Sequence, residues 1–103
     1  MKGDNMIYEL TVLTPETATE VDIEQVERVI RRYATEIGKR EDEGIKRLAY
    51  PINGQDKARY LYYEINMPQG KPQRLSSELN TDNTVLRYLL VRADTRVYNQ
   101  RKN

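Results

Sequence analysis

Cationic and tyrosine side chains are the groups of this 103-residue chain whose types and spacing fit a definite chemistry, the binding of an anionic surface. Lys46 and Arg47 are adjacent in the run from Gly44 to Ile52, so in an extended strand they would point to opposite faces. Tyr60 and Tyr62 alternate in a second run and would share one face. Ammonium and guanidinium groups contact phosphates, and tyrosine rings can stack on nucleobases. The pattern indicates a binding surface rather than a reaction centre.

The residue types that enzymes use are missing or poorly placed. The chain has no His and no Cys, which excludes a His-based triad, thiolate chemistry and the usual transition-metal sites. Its five Gly are scattered, so there is no glycine-rich loop that could hold a phosphate. The acidic run from Glu41 to Glu43 could hold a cation, but we interpret it as a solvated loop. We predict no enzymatic activity, no cofactor and no small-molecule substrate.

Composition and charge describe one small domain with uneven electrostatics. Hydrophobic residues make up 38% of the chain and charged residues 32%, which predicts a single domain with a thin core. All eight aromatic residues are Tyr, so several rings should lie at the core margin or in an interface. Residues 14–43 carry five basic and nine acidic groups, whereas residues 44–74 carry six and two, and residues 85–103 carry five and one. The two cationic blocks favour an anionic partner. No apolar run approaches the length of a membrane span, and we expect a cytoplasmic protein.

Four segments have the alternation or the β-branched and aromatic content of strands. They run from Met6 to Leu13, from Arg40 to Ile52, from Tyr60 to Met67 and from Val85 to Val91. Leu48, Tyr50 and Ile52 would share one face of the second strand and enter the core, while Pro51 predicts that this strand lies at a sheet edge. Asn53-Gly54 signals a turn, and the loop that follows looks longer than a two-residue hairpin connection.

Two helices complete the predicted elements. The first runs from Glu20 to Ile37, because apolar residues recur at spacings of three and four, and Gly38 would be its C-cap. The second begins at Pro72 and buries Leu75 and Leu79. The element order predicts an α+β, ferredoxin-like β-α-β-β-α-β fold, a four-stranded antiparallel sheet with two helices on one face. We expect residues 1–92 to form this single domain and residues 93–103 to be a basic tail that is disordered when free.

The sheet face away from the helices leaves several interpretations open. Tyr60 and Tyr62 could stack on bases, pack across strands or become buried against another protein. The segment from Lys57 to Tyr62 lacks the small residues that an RNA-recognition motif has between its aromatics, so a platform of that type is not expected. The better candidates for phosphate contacts are four cations, namely Lys46, Arg47, Arg87 and Arg92. Each of them alone could equally be an ordinary surface charge.

Four segments, in matching order and spacing from about Met6 to Arg92, carry a resemblance to a known family. They are Tyr8-Glu9, Gly44 to Ile52, Tyr60 to Pro68 and Asn83 to Arg92. The string Arg-Leu-Ala-Tyr-Pro-Ile, from Arg47 to Ile52, is the most specific of these features. Together they resemble the family of the sixth protein of the bacterial small ribosomal subunit.

This resemblance implies a ferredoxin-like, non-enzymatic, structural protein of the platform of the small ribosomal subunit. It implies two partners, the central domain of 16S ribosomal RNA and the eighteenth protein of the small subunit. By motif position, it implies RNA contacts at Tyr8, Arg87 and Arg92.

The two tyrosines and the paired cations of the middle strands complete the assignment. Lys46 and Arg47 match a paired basic position of the family, which contacts either RNA or protein. Tyr60 and Tyr62 are assigned to the interface with the partner protein. The alternative hypothesis is a small-molecule-binding regulatory or enzymatic ferredoxin-like domain, which would need a concave pocket with converging polar groups.

Overall fold

The computed structural model describes residues 5–93 and the backbone of residues 97–99. The elements are β1 (Asn5–Pro15), α1 (Glu20–Tyr33), β2 (Glu36–Ile52), β3 (Gln55–Pro68), α2 (Pro72–Thr81), β4 (Arg87–Arg92) and β5 (Val97–Asn99). All strand pairs are antiparallel, and the order across the sheet is β2-β3-β1-β4-β5. The predicted β-α-β-β-α-β fold is confirmed, and β2 lies at an edge as Pro51 indicated.

The short strand β5 lies inside the segment predicted as a basic tail. It pairs with β4 through Leu90 opposite Asn99 and Val91 opposite Val97, so the sheet has one strand more than predicted. The other residues of the predicted tail beyond Ala93, residues 94–96 and 100–103, lie outside the described residues. The disorder of the free tail and the domain boundary at residue 92 stay predictions.

Helix α1 begins with a capping box and ends earlier than predicted. The Thr19 side chain accepts from the Asp22 backbone N–H, and the Asp22 carboxylate accepts in return from the Thr19 backbone N–H. The C-cap is Ala34 in an extended conformation, after which the Thr35 N–H donates to the Asn66 carbonyl at 2.7 Å. The prediction that the helix continues to Ile37, with Gly38 as its C-cap, was wrong. Pairing with β3 takes the chain into the sheet, and both residues belong to β2.

A tight turn joins β2 to β3 and makes this hairpin longer than predicted. Asn53 and Gly54 both have positive φ, 49° and 79°, and Ile52 pairs directly with Gln55 across them. These are the features of a two-residue type I′ turn, whose twist matches that of the flanking strands. The expected longer loop is therefore wrong, since its residues extend β3 back to Gln55.

The main core lies between one face of the sheet and the two helices. The strands contribute alternate residues, which is why side chains two apart share the buried face. The helices contribute the apolar stripes around Val26, Ile30, Leu75 and Leu79. The buried strand residues are Tyr8, Leu10, Val12, Leu61, Tyr63, Ile65, Met67, Tyr88 and Leu90. Three tyrosines, Tyr8, Tyr63 and Tyr88, are thus fully buried in the core, not at its margin.

A second, smaller apolar cluster forms near the β2–β3 turn and includes two of the three predicted core residues of β2. Leu48 and Ile52 are buried there with Leu13, but Tyr50 is 63% exposed. Residues 48–51 of β2 stand opposite the single residue Asp56, because the pairing jumps from Arg47–Lys57 to Ile52–Gln55. The extra residues break the alternation of side chains along β2. The prediction that Tyr50 enters the core was wrong for this reason.

Candidate functional site

The sheet face away from the helices, called the open face below, collects many of the residues singled out in the sequence. Residues directly opposite each other in an antiparallel pair share a face, so the pairing of Leu13 with both Tyr60 and Arg87 places these three together. Lys46 joins them through its pairing with Ala58, which alternates with Tyr60. The open face includes Ile7, Glu9, Thr11, Leu13, Lys46, Tyr60, Tyr62, Glu64, Arg87, Leu89 and Val91.

A cavity of about 400 Å³, the open-face cavity, lies at the end of this face nearest the β2–β3 turn. Leu13, Leu48 and Ile52 of the second apolar cluster line it. Its remaining lining residues are Thr11, Ala49, Tyr50, Tyr60, Arg87, Tyr88 and Leu89. The cavity is therefore an apolar depression bordered by tyrosine and cationic side chains.

Two cation–aromatic pairs border the open-face cavity. The Lys46 Nζ lies 4.8 Å from the centre of the Tyr60 ring and 3.3 Å from the Glu43 Oε1. The guanidinium carbon of Arg87 lies 5.9 Å from the centre of the Tyr50 ring. Such contacts attract a cation to the face of the ring and restrain both side chains. Tyr50, which is exposed and not buried in the core, is thus part of this border.

The charge of the open face changes sign along the strands. Tyr62, two residues after Tyr60, lies among carboxylates instead of cations. Its pKa is raised above the usual value of 10.0, first by burial and then by the negative charges of Glu9 and Glu64. Tyr60 and Tyr62 are both half-buried, so neither ring is free on all sides. One tyrosine therefore belongs to a cationic region and the other to an acidic region of the same face.

The remaining predicted contact residues do not lie together. Arg47 is exposed on the extended β2–β3 hairpin, whereas Arg92 is half-buried and pairs with Tyr8 on the face of the sheet that carries the helices. Arg87 lies on the open face, and at about 3.3 Å per residue it is roughly 17 Å along β4 from Arg92. Tyr8 is fully buried and has no exposed surface to offer a ligand. The predicted cations would therefore contact separate points of a large partner.

A buried ionic contact that the sequence reading did not predict fixes the edge strand β2 to helix α1. Glu27 is 4% exposed, and its Oε2 accepts hydrogen bonds from the Arg40 Nε at 2.6 Å and from the Tyr63 hydroxyl at 2.9 Å. Burial and this hydrogen bond raise the pKa of Tyr63 far above its ordinary range. The available signal was that Glu27 follows Ile23 by four residues and precedes Ile30 by three, on the apolar side of α1.

Comparison with known proteins identifies the family. The family described as ribosomal protein S6 matches residues 7–92 of the chain. The chain belongs to the ribosomal protein S6 family. Small ribosomal subunit protein bS6 of Chlamydia pneumoniae is 31% identical over 98 residues, which are 91% of this chain and 88% of that protein. Its counterpart in Thermus thermophilus is 31% identical over 70 residues, 68% of this chain and 69% of that protein.

A solved S6 structure shares the fold. The crystal structure of 30S ribosomal protein S6 from Thermotoga maritima matches this one with a TM-score of 0.77 at 20% identity, over 87% of this chain and 89% of that chain. Membership in the S6 family confirms the resemblance inferred from the four sequence segments. Proteins of this family are structural ribosomal proteins and not enzymes, in agreement with the predicted lack of catalytic activity. Among the described residues, no helix has both the length and the apolar character needed to cross a membrane.

Proposed function

We propose that the protein is a structural constituent of the small ribosomal subunit in the bacterial cytoplasm, where it binds the central domain of 16S ribosomal RNA together with the eighteenth small-subunit protein. Membership in the S6 family supports the ribosomal role. The observation that carries the finer proposal is the open face, which combines an apolar cavity, tyrosine rings and cations on one side of a sheet. Such a surface suits a protein and an RNA bound next to each other.

The RNA-binding part of the proposal rests on exposed cations at the β2–β3 hairpin. Arg47 is exposed, and no carboxylate lies within ion-pair distance of it among residues 5–93. Lys46 is already paired with Glu43, so a phosphate has to compete for it. Each phosphate that such a group neutralises releases counterions, which makes the affinity fall as salt is added. Arg47 is therefore the strongest of the proposed phosphate contacts.

The two arginines of β4 complete the proposed RNA contacts. Arg87 borders the open-face cavity and so lies where the RNA and protein surfaces would meet. Arg92 lies on the other face of the sheet, beside the buried ring of Tyr8. Since Tyr8 is buried, we assign it the role of positioning Arg92 instead of a direct RNA contact. Contacts on both faces require an RNA that passes around the β4 side of the domain.

The protein-binding part of the proposal rests on Tyr60 and Tyr62. Both rings are half-buried on the open face, and burial of tyrosine against a partner is common at protein interfaces. The hypothesis of a small-molecule site has less support. The open-face cavity is large enough for a ligand, but most of its lining is apolar and no acidic residue of the described chain lines it.

Co-sedimentation tests the proposal. In a lysate of the source organism, the protein is expected to sediment with small ribosomal subunits and to be released by high salt, because phosphate contacts are screened. Cells that lack the eighteenth protein should show weaker retention at the same salt concentration. Free migration of the protein in the normal lysate would contradict the proposal.

A further inference from the structure

The border of the open-face cavity exposes apolar surface above a buried apolar floor. Leu89 is 42% exposed and Tyr50 is 63% exposed, while Leu13, Leu48 and Ile52 below them are less than 10% exposed. Exposed apolar groups around a concave apolar floor are the arrangement in which a partner's side chain becomes fully desolvated. The cavity therefore has the form of a receptor for one protruding group.

The chemistry of the lining favours an apolar side chain over a nucleobase. A base inserted here needs hydrogen-bond partners for its edges, but the floor consists of aliphatic groups. The Tyr60 and Tyr50 rings, on which a base would stack, each have a cation near the ring, Lys46 and Arg87 respectively. A large aliphatic or aromatic side chain needs neither the hydrogen bonds nor the ring faces.

One polar group at the cavity also points to a feature of the occupant. The Nε of Arg87 is buried and has no hydrogen-bond acceptor among the described residues. No acidic side chain lines the cavity within residues 5–93. Arg87 as a whole is only half-buried, so a carboxylate brought by the occupant can pair the charge of its guanidinium, which no acidic residue of the described lining pairs.

We propose that the protein partner inserts one large apolar side chain into the open-face cavity and brings a carboxylate from the same segment to Arg87. This inference rests on the proposed function, since the partner is the small-subunit protein that shares the open face. It goes further in naming the receptor site and the two chemical groups that the site accepts. The partner segment is thus apolar and acidic at this point. Arg87 then contacts the partner at the boundary with the RNA, and the phosphate contacts that lie away from the cavity are Arg47 of the hairpin and Arg92.

Titration calorimetry with the purified eighteenth protein, in the absence of RNA, tests the apolar part. Leu89→Glu introduces a charge at the border of the cavity, and the side chain is exposed enough for the fold to persist. We expect the affinity for the partner to fall by at least about tenfold, as for a central interface residue. The matched control is Val21→Glu, at a 73% exposed position of α1 away from the open face, which should leave the affinity unchanged.

A second variant tests the charged part. Arg87→Gln is expected to weaken partner binding and to reduce its dependence on salt, because an ion pair is replaced by a neutral contact. If the salt dependence of partner binding is unchanged in Arg87→Gln, the proposal that the partner brings a carboxylate to Arg87 is overturned. Unchanged partner affinity of Leu89→Glu, or a loss confined to RNA binding, would overturn the apolar insertion. A wild-type protein that binds neither the partner nor the RNA would instead overturn the proposed function itself.

Discussion

Glu27 shows how a single residue links helix α1 to the edge of the sheet. Its carboxylate extends from α1 toward the sheet and accepts hydrogen bonds from Arg40 of β2 and Tyr63 of β3. An ion pair whose acid is buried carries a desolvation cost, so it is retained only where the hydrogen bonds are well made. The apolar spacing of α1 could be predicted from the sequence, but this contact could not, because it depends on which residue of β2 the sheet brings to Glu27.

Replacement of Glu27 tests this contact. Glu27→Ala is expected to lower the free energy of unfolding by about 2 kcal/mol, because the Tyr63 hydroxyl loses its acceptor and Arg40 loses its charge partner. The expected loss in the free energy of unfolding is no larger because the Arg40 side chain is 57% exposed and water can solvate it. Urea unfolding measures the effect, with Glu24→Ala at an exposed position of the same helix as the control. Equal stability losses in the two variants would contradict the role of Glu27.

Glu78 of α2 forms a second contact between elements, at the end of α1. It accepts hydrogen bonds from the Tyr33 hydroxyl and the Arg32 guanidinium. The bond from Tyr33 lowers the pKa of Glu78 below the usual 4.5, and the same bond raises the pKa of Tyr33 above 10.0. A carboxylate whose pKa is lower in the folded state stabilises the fold above the unfolded pKa, and this contribution is lost as the pH falls through the folded pKa.

The pH dependence of stability tests the Glu78 contact. Glu78→Gln should be less stable than the wild type at about pH 7, and the difference should shrink as the pH is lowered toward about 3, because the wild-type carboxyl becomes protonated as the pH falls through its lowered folded-state pKa. Urea midpoints at the two pH values measure it, with Glu24→Gln as the exposed control. A difference between wild type and Glu78→Gln that stays constant over this range would count against the contact.

At the scale of elements, the hairpin of β2 and β3 separates what could be predicted from what could not. Alternation correctly placed Tyr60 and Tyr62 on one face of β3, and the residues between and beyond them, Leu61, Tyr63, Ile65 and Met67, are buried on the other face. The same reasoning failed for Tyr50. The extra residues of β2 opposite Asp56 arise from how β2 pairs with β3, and the hydrophobic pattern of the sequence does not show them. The prediction of where α1 ends was wrong for a similar reason, since the apolar spacing of Ile37 fits a helix as well as a strand.

The type I′ turn of this hairpin gives a test at the same scale. Gly54 has φ of 79° and nothing lies within 4 Å of where a Cβ would be, so Gly54→Ala changes the backbone conformational energy and no packing. We expect a loss of roughly 1 kcal/mol in the free energy of unfolding, the ordinary cost of a left-handed non-glycine residue. Gly38→Ala is the control, because a Cβ there meets only Glu64 atoms at 3.6 and 3.7 Å. Thermal unfolding that ranks Gly38→Ala as the more damaging change would contradict the assignment.

At the scale of the whole molecule, the fold distributes the binding groups over two faces and one long hairpin. The sequence was sufficient to predict the fold and the family, because both depend on periodicity and on four ordered segments. It was not sufficient for the site. Alternation along β4 puts Arg87 and Arg92 on opposite faces, but only the strand register reveals that Arg92 lies opposite the buried Tyr8 and Arg87 opposite Leu13. The open-face cavity likewise depends on Leu48 and Ile52 meeting Leu13 across the sheet.

The affinity for RNA, measured with and without the partner protein, tests the central claim most directly. A labelled central-domain fragment of 16S ribosomal RNA is titrated with this protein over a range of salt concentrations, alone and with the eighteenth protein present. We predict weak binding alone, a clear gain in affinity when the partner is present, and a steep loss as salt is added, since phosphate contacts release counterions. An affinity that the partner leaves unchanged, or one that does not fall with salt, would contradict the account.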